Sequence, residues 1–233
     1  MTVFRTVSSL LILGLLGWMA YDLRHRLGSW KAVRSLLGHH AGSVGRDVRG
    51  GERGGGWREY FRKSLYLLTA GLMLLLAITG FIPILLFGDH VSGFLLVIHV
   101  TAAPLFALSL SALTLFWAHR MSFREADWHT LKALVRRVGR GPERHDPVGP
   151  DREALVSFAL KAGFWMILTL SLPLMLTIIF GLFPLFGTEG EALLIRLHGY
   201  SALLLLLAAL TDLYLTIITL ERMRASFHKE SKP

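Results

Sequence analysis

Not one of the 233 residues is a cysteine. That absence excludes disulfides, thiolate-bound metals, iron–sulfur clusters and covalently attached c-type haem from this chain. Acidic residues are also scarce, 16 Asp and Glu against 25 Lys and Arg, giving a formal net charge of +9. In a soluble protein such an excess suggests nucleic-acid binding. Here 53% of the residues are hydrophobic, and the basic ones are confined to the segments between long apolar runs. Charge arranged that way sets membrane topology, and no nucleic-acid partner is expected. Also lacking are a phosphate-cradling glycine motif, a Ser/His/Asp arrangement and any internal sequence repeat of note.

What is present is apolar length. Five runs are long enough to cross a bilayer, for which ~20 residues suffice: about Val3 to Tyr21, Leu65 to Phe87, Val91 to Ala118, Leu155 to Phe183 and Ala192 to Leu220. The first has no basic n-region beyond Arg5 and no small-residue cleavage site after Trp18-Met19, so it reads as a retained span rather than a signal peptide. It carries no ionisable residue in its interior, which suits an anchor or a packing helix for a partner. The segment Leu23 to Lys63 holds ten Lys/Arg, His119 to Glu153 holds eight and the tail after Leu220 holds four, whereas the turns Gly88 to His90 and Pro184 to Glu191 hold none. The positive-inside rule then places the N-terminus outside and the C-terminus in the cytoplasm of a bacterial inner membrane.

This gives an all-α membrane protein with five transmembrane helices, four of them forming a bundle. The expected divisions are an N-terminal transmembrane helix at 1–22, a cytoplasmic basic linker at 23–63, a four-helix membrane domain at 64–221 and a cytoplasmic tail at 222–233. Within the linker, Trp30, Val33, Leu36 and Leu37 suggest an interfacial helix, followed by a flexible Gly-rich stretch from Gly50 to Gly56. Trp128, Leu131, Leu134, Val135 and Val138 lie at helical spacing among Arg and Lys and predict a second surface-lying amphipathic helix.

Ionisable residues inside apolar runs are costly and mark functional sites by default. Of the ten histidines, only His99 and His198 lie inside such runs; the others fall in loops, turns, span ends or the tail. His99 is about eight residues into the third run and His198 about six into the fifth, roughly 9 to 12 Å below one surface at 1.5 Å per residue if the helices run parallel. Two imidazoles at one depth suggest the axial ligands of one non-covalent b-type haem. Bis-histidine ligation suits electron transfer, since it leaves no open iron position. Gly199 would admit the macrocycle, and Arg196 is placed to pair with a propionate. Asp212, fourteen residues after His198, returns to within ~40° of the same helix face. Lys161, seven residues into the fourth run, has a similar depth to Asp212, so a Lys161–Asp212 ion pair near Tyr66 and Tyr214 is a candidate quinone or proton-handling site, the alternatives being a purely structural pair in place of a lost cofactor and a Lys161 that snorkels alone.

The stretch RKSLYLLTAGLMLLLAITGFIP, Arg62 to Pro83, resembles the first core helix of the b-type cytochrome subunits of formate dehydrogenases and nickel-iron hydrogenases, through Thr79-Gly80. HVTAAPLF from His99 resembles that family's second core helix, and HGYSALLLLLAALTDLYL from His198 its fourth. The resemblance spans about Arg62 to Leu220. Where the family carries histidines for an inner haem, this chain has Leu65 or Tyr66 in one helix and Asp212 in the other. The resemblance therefore implies a mono-haem variant, an electron-transfer subunit rather than a stand-alone enzyme. It would link a quinone pool with a periplasmic cytochrome or iron–sulfur protein in a larger membrane complex. The competing readings are a haem-free structural anchor and a small transporter coupling protons through Asp212 and Lys161.

Overall fold

In a computed structural model, the residues described are 2–27, 57–140, 152–181, 183 and 186–230. The expected interfacial helix around Trp30 and the glycine linker lie outside them. Every regular element among the described residues is helical: α1 (Thr2–Leu27), α2 (Trp57–Ile82) with a π-helical turn at Pro83–Phe87, α3 (Gly93–Trp117), α4 (Glu125–Arg140), α5 (Arg152–Gly181) and α6 (Gly187–Glu230). Five of them, all but α4, contain stretches long and apolar enough to cross a membrane.

The pattern of burial is that of a protein with lipid as its solvent. The most deeply buried side chains are two serines, Ser8 at 0% and Ser171 at 1% exposure, with Thr69, Thr79, Ser109 and Thr177 also buried. Large apolar side chains point outwards instead, Leu115 at 83% and Phe94 at 77%. Water would penalise that arrangement by the transfer cost of each exposed side chain. In hydrocarbon it costs nothing, and small residues at helix contacts let backbones approach closely.

The chain divides into two compact units, residues 1–117 and 118–233. In the first, α2 and α3 form an antiparallel hairpin: Thr79 near the end of α2 meets His99 near the start of α3, and Phe61 near the start of α2 packs edge-on against Phe116 at the end of α3. The buried stripe Ala102, Phe106, Ser109, Leu110 and Leu113 repeats at helical spacing along α3. The widened turn begins at Pro83, which has no N–H to continue the α-helical ladder. It ends at Gly88, whose φ of 73° is left-handed and whose N–H reaches the Ile84 carbonyl at 3.2 Å. Arg5 of α1 donates its Nε to the Leu85 carbonyl at 3.1 Å, so α1 starts at the level of this turn.

In the second unit, α5 and α6 form another antiparallel hairpin, fixed at one end by Leu174 and Thr177 against His198 and further along by Gly163 against Asp212. α4 packs on the opening turns of α5. The element bounds differ from those expected. α1 runs past 22 to Leu27, α2 starts at Trp57 within the expected linker, and α6 continues unbroken through 221 to Glu230. Hydropathy ends a run at its first charges, but Arg, Glu and Lys are good helix formers and the backbone ladder continues through them.

Candidate functional site

His99 and His198 belong to different units, and each has its own setting. Thr79 Oγ1 donates its single proton to the carbonyl of Leu75 at 2.8 Å, in the usual back-bond to the preceding turn. The same oxygen lies 2.8 Å from His99 Nδ1. With that proton on the Leu75 carbonyl, the hydroxyl accepts from Nδ1–H and the lone pair of the neutral ring is on Nε2; with the proton turned to His99, the tautomer is reversed. Gly80 completes the seat. A Cβ there would stand 3.2 Å from His99 Cε1, so the glycine lets the imidazole lie close against α2. The Thr79-Gly80 pair noted in the sequence thus has a physical role in holding this histidine.

The second unit repeats the device. Thr177 Oγ1 donates to the Leu174 carbonyl at 2.9 Å, and His198 Nδ1 faces both that carbonyl, at 3.1 Å, and Thr177 Oγ1, at 3.3 Å. A carbonyl can only accept, so Nδ1 is again the donor and Nε2 again carries the lone pair. The two hairpins share a register as well. Phe87-Gly88 and Phe186-Gly187 mark the two turns, both glycines have positive φ (73° and 61°), and each histidine follows its glycine by eleven residues. This correspondence escapes a sequence comparison, because the threonines stand nine and ten residues before those glycines and little else matches.

Of the other expected site residues, Arg196 is exposed and Gly199 half-buried on α6. The expected Lys161–Asp212 pair is corrected: Lys161 Nζ donates to Asp127 Oδ2 of α4 at 2.6 Å, with both side chains largely buried. Matching the depths of Lys161 and Asp212 along two apolar runs takes no account of α4, which folds back onto α5 and brings a carboxylate to Lys161 from outside both runs. Asp127 also accepts the backbone N–H of Arg124 at 2.7 Å, capping the start of α4. The Lys161 ammonium first, and the Arg124 N–H second, hold the Asp127 carboxyl below the usual carboxylate range. Asp212 instead lies against Gly163, where a Cβ would stand 2.6 Å from its Oδ1. Tyr214 is buried in this unit, whereas Tyr66 belongs to the first and lies tilted against Trp117 with ring centroids 6.5 Å apart.

Asp127 and Thr177 were not singled out from the sequence. Asp127 had one usable signal, an acidic residue in the first turn of a predicted helix; Thr177 had none, since Thr is ordinary in an apolar run. Among the described residues no three His, Asp or Glu side chains gather into a metal-ion site. Compared with protein-family models, curated proteins and solved structures, the chain matches none of them.

Proposed function

We propose that this chain is a membrane electron-transfer subunit in which His99 and His198 are the two axial ligands of one b-type haem. The observation that carries the proposal is the matched seat of the two rings, each engaged at Nδ1 by a threonine hydroxyl or a backbone carbonyl, so that ligation through Nε2 keeps that bond with Nδ1–H as its donor. Metal-binding histidines are oriented by such an outer hydrogen bond, which fixes the tautomer and raises the basicity of the ligating nitrogen. When bound, the haem supplies one-electron transfer. The chain's own residues do the rest: Thr79 holds the His99 ring and the Leu174 carbonyl with Thr177 holds the His198 ring, both at Nδ1, Gly80 sets the approach of the His99 ring, Gly199 would leave room beside His198, and Arg196 would offer a cation to a propionate.

The resemblance to the cytochrome b subunits of formate dehydrogenases and nickel-iron hydrogenases supports the same reading. The absence of cysteine means that a haem here would be held non-covalently, as a b-type one. We place the protein in a bacterial inner membrane with its N-terminus outside, joining a quinone pool to a periplasmic redox subunit. Because Lys161 is engaged by Asp127, the quinone or proton role rests on Asp212 in place of the expected pair.

The test is purification after expression with sufficient haem. A red protein with one haem per chain and a low-spin bis-imidazole spectrum is expected, and His99→Ala and His198→Ala should each lose it. A colourless, folded protein would favour the haem-free anchor, and two variants that retain the full low-spin spectrum would refute the assignment.

A further inference from the structure

We infer that α4 is a docking helix for anionic phospholipid headgroups, held at the hydrocarbon boundary by its clamp on α5. The inference is independent of haem and rests on where the bilayer must end along α5. The apolar part of α5 runs Ala154–Gly181, 28 residues, which at 1.5 Å per residue is about 42 Å, well beyond a hydrocarbon core of about 30 Å. Counting about 20 residues back from Gly181 puts the other boundary at Ala162, beside Lys161. The opening turns of α5 are therefore apolar for another reason, and the structure supplies it: they are covered by protein. Phe158 packs against Phe123 with centroids 5.8 Å apart, and Trp165 Nε1 donates to the Met121 carbonyl at 2.8 Å. The Lys161–Asp127 pair closes the same contact. All three place the start of α4 at the boundary.

The faces of α4 fit that position. At about 100° per residue, Asp127, Thr130 and Leu131 share the side turned to α5, and Asp127 and Thr130 are buried there. Trp128 and Val135, seven residues apart, form an exposed apolar stripe next to it. Beyond that stripe come exposed Lys132, Arg136 and His129, with Arg124 also exposed at the helix start and Glu125 the one exposed acidic residue of α4 among the described residues. An apolar flank with an indole, bordered by cations, is the arrangement of a helix lying in the plane of an interface. The net positive face selects anionic headgroups, each basic residue near such a surface contributing about five-fold in affinity.

The absence of cysteine provides the probe, because Val135→Cys creates a single thiol for a spin label on the otherwise unchanged full chain. The labelled protein is placed in nanodiscs of phosphatidylcholine alone and of phosphatidylcholine with phosphatidylglycerol, and collision rates with oxygen and with a water-soluble nickel chelate are measured. Nickel accessibility should fall severalfold when phosphatidylglycerol is present. Combining Arg124→Gln, Lys132→Gln and Arg136→Gln should return it to the phosphatidylcholine value. Equal nickel accessibility in both discs overturns the inference, whether the label is wet or buried. Protection that appears only on adding a partner protein also overturns it, assigning the face to that protein. As a second readout, native mass spectrometry should show phosphatidylglycerol retained by the parent chain and lost from the triple variant.

Discussion

Thr79 and His99 are twenty residues apart in the sequence and joined by a 2.8 Å hydrogen bond between Oγ1 and Nδ1, on a hydroxyl that lies equally close to the Leu75 carbonyl. With its proton on the Leu75 carbonyl the threonine accepts from Nδ1–H, and Thr177, bonded to the Leu174 carbonyl, stands likewise beside His198. Thr79→Val removes the acceptor and leaves a buried donor unsatisfied, at a cost of about 1–3 kcal/mol. Haem retention should weaken about 10- to 100-fold. Thr79→Ser should restore both. Thermal melting and haem titration of the three proteins check this, and a Val variant equal to the parent in both would mean that His99 is held by other contacts.

The Lys161–Asp127 pair carries a pH dependence of definite sign. Asp127 has its carboxyl lowered from the ordinary 3.8 by Lys161, so its contribution is fully present above that value. It is lost as pH falls through the lower folded-state value. Acid melting curves of the parent should show this loss below the ordinary carboxylate range, and Asp127→Asn should flatten that part of the curve. At neutral pH, Lys161→Met alone should destabilise by about 1–3 kcal/mol, more than the Asp127→Asn, Lys161→Met double variant, because it leaves a carboxylate uncompensated.

Gly163→Ala should be disruptive for a reason specific to one neighbour. The new methyl would stand 2.6 Å from Asp212 Oδ1, forcing α5 and α6 apart or the carboxylate aside. Shortening that neighbour with Asp212→Ala should recover most of the lost stability, a coupling that a double-mutant cycle measures. Additive effects would show that the methyl is resisted by the backbone instead.

Topology is open to a direct check. Reporters fused after His228 should be active only as cytoplasmic reporters, and fusions in the Gly88 to His90 turn only as periplasmic ones, because 22 of the 25 basic residues lie in the segments assigned to the cytoplasm. Periplasmic alkaline phosphatase activity after His228 would invert the assignment.

The five long helices and the two histidines were legible because hydropathy and isolated ionisable residues are strong signals in an apolar background. The Thr79-Gly80 pair was visible only as a likeness, and its mechanical sense needed coordinates. Lys161 was misread because its depth was counted from the end of an apolar run, on the assumption that lipid covers all of that run. Here protein covers the first turns, and a surface helix whose partner residue lies in a charged segment supplies the counter-ion. Helix ends were misplaced where charged but helix-favouring residues extend the ladder past the apolar stretch, most plainly in α6.

Arg5 has a consequence for the order in which the chain is assembled. The carbonyl it serves, that of Leu85, is made eighty residues later than the arginine itself. Until that second segment has been made, the exposed guanidinium at the level of the outer turn has no carbonyl to serve. The start of α1 therefore gains this tie only after the turn between α2 and α3 exists. The first helix to be translated is thus fastened at its beginning by a bond whose acceptor is among the later residues of its unit.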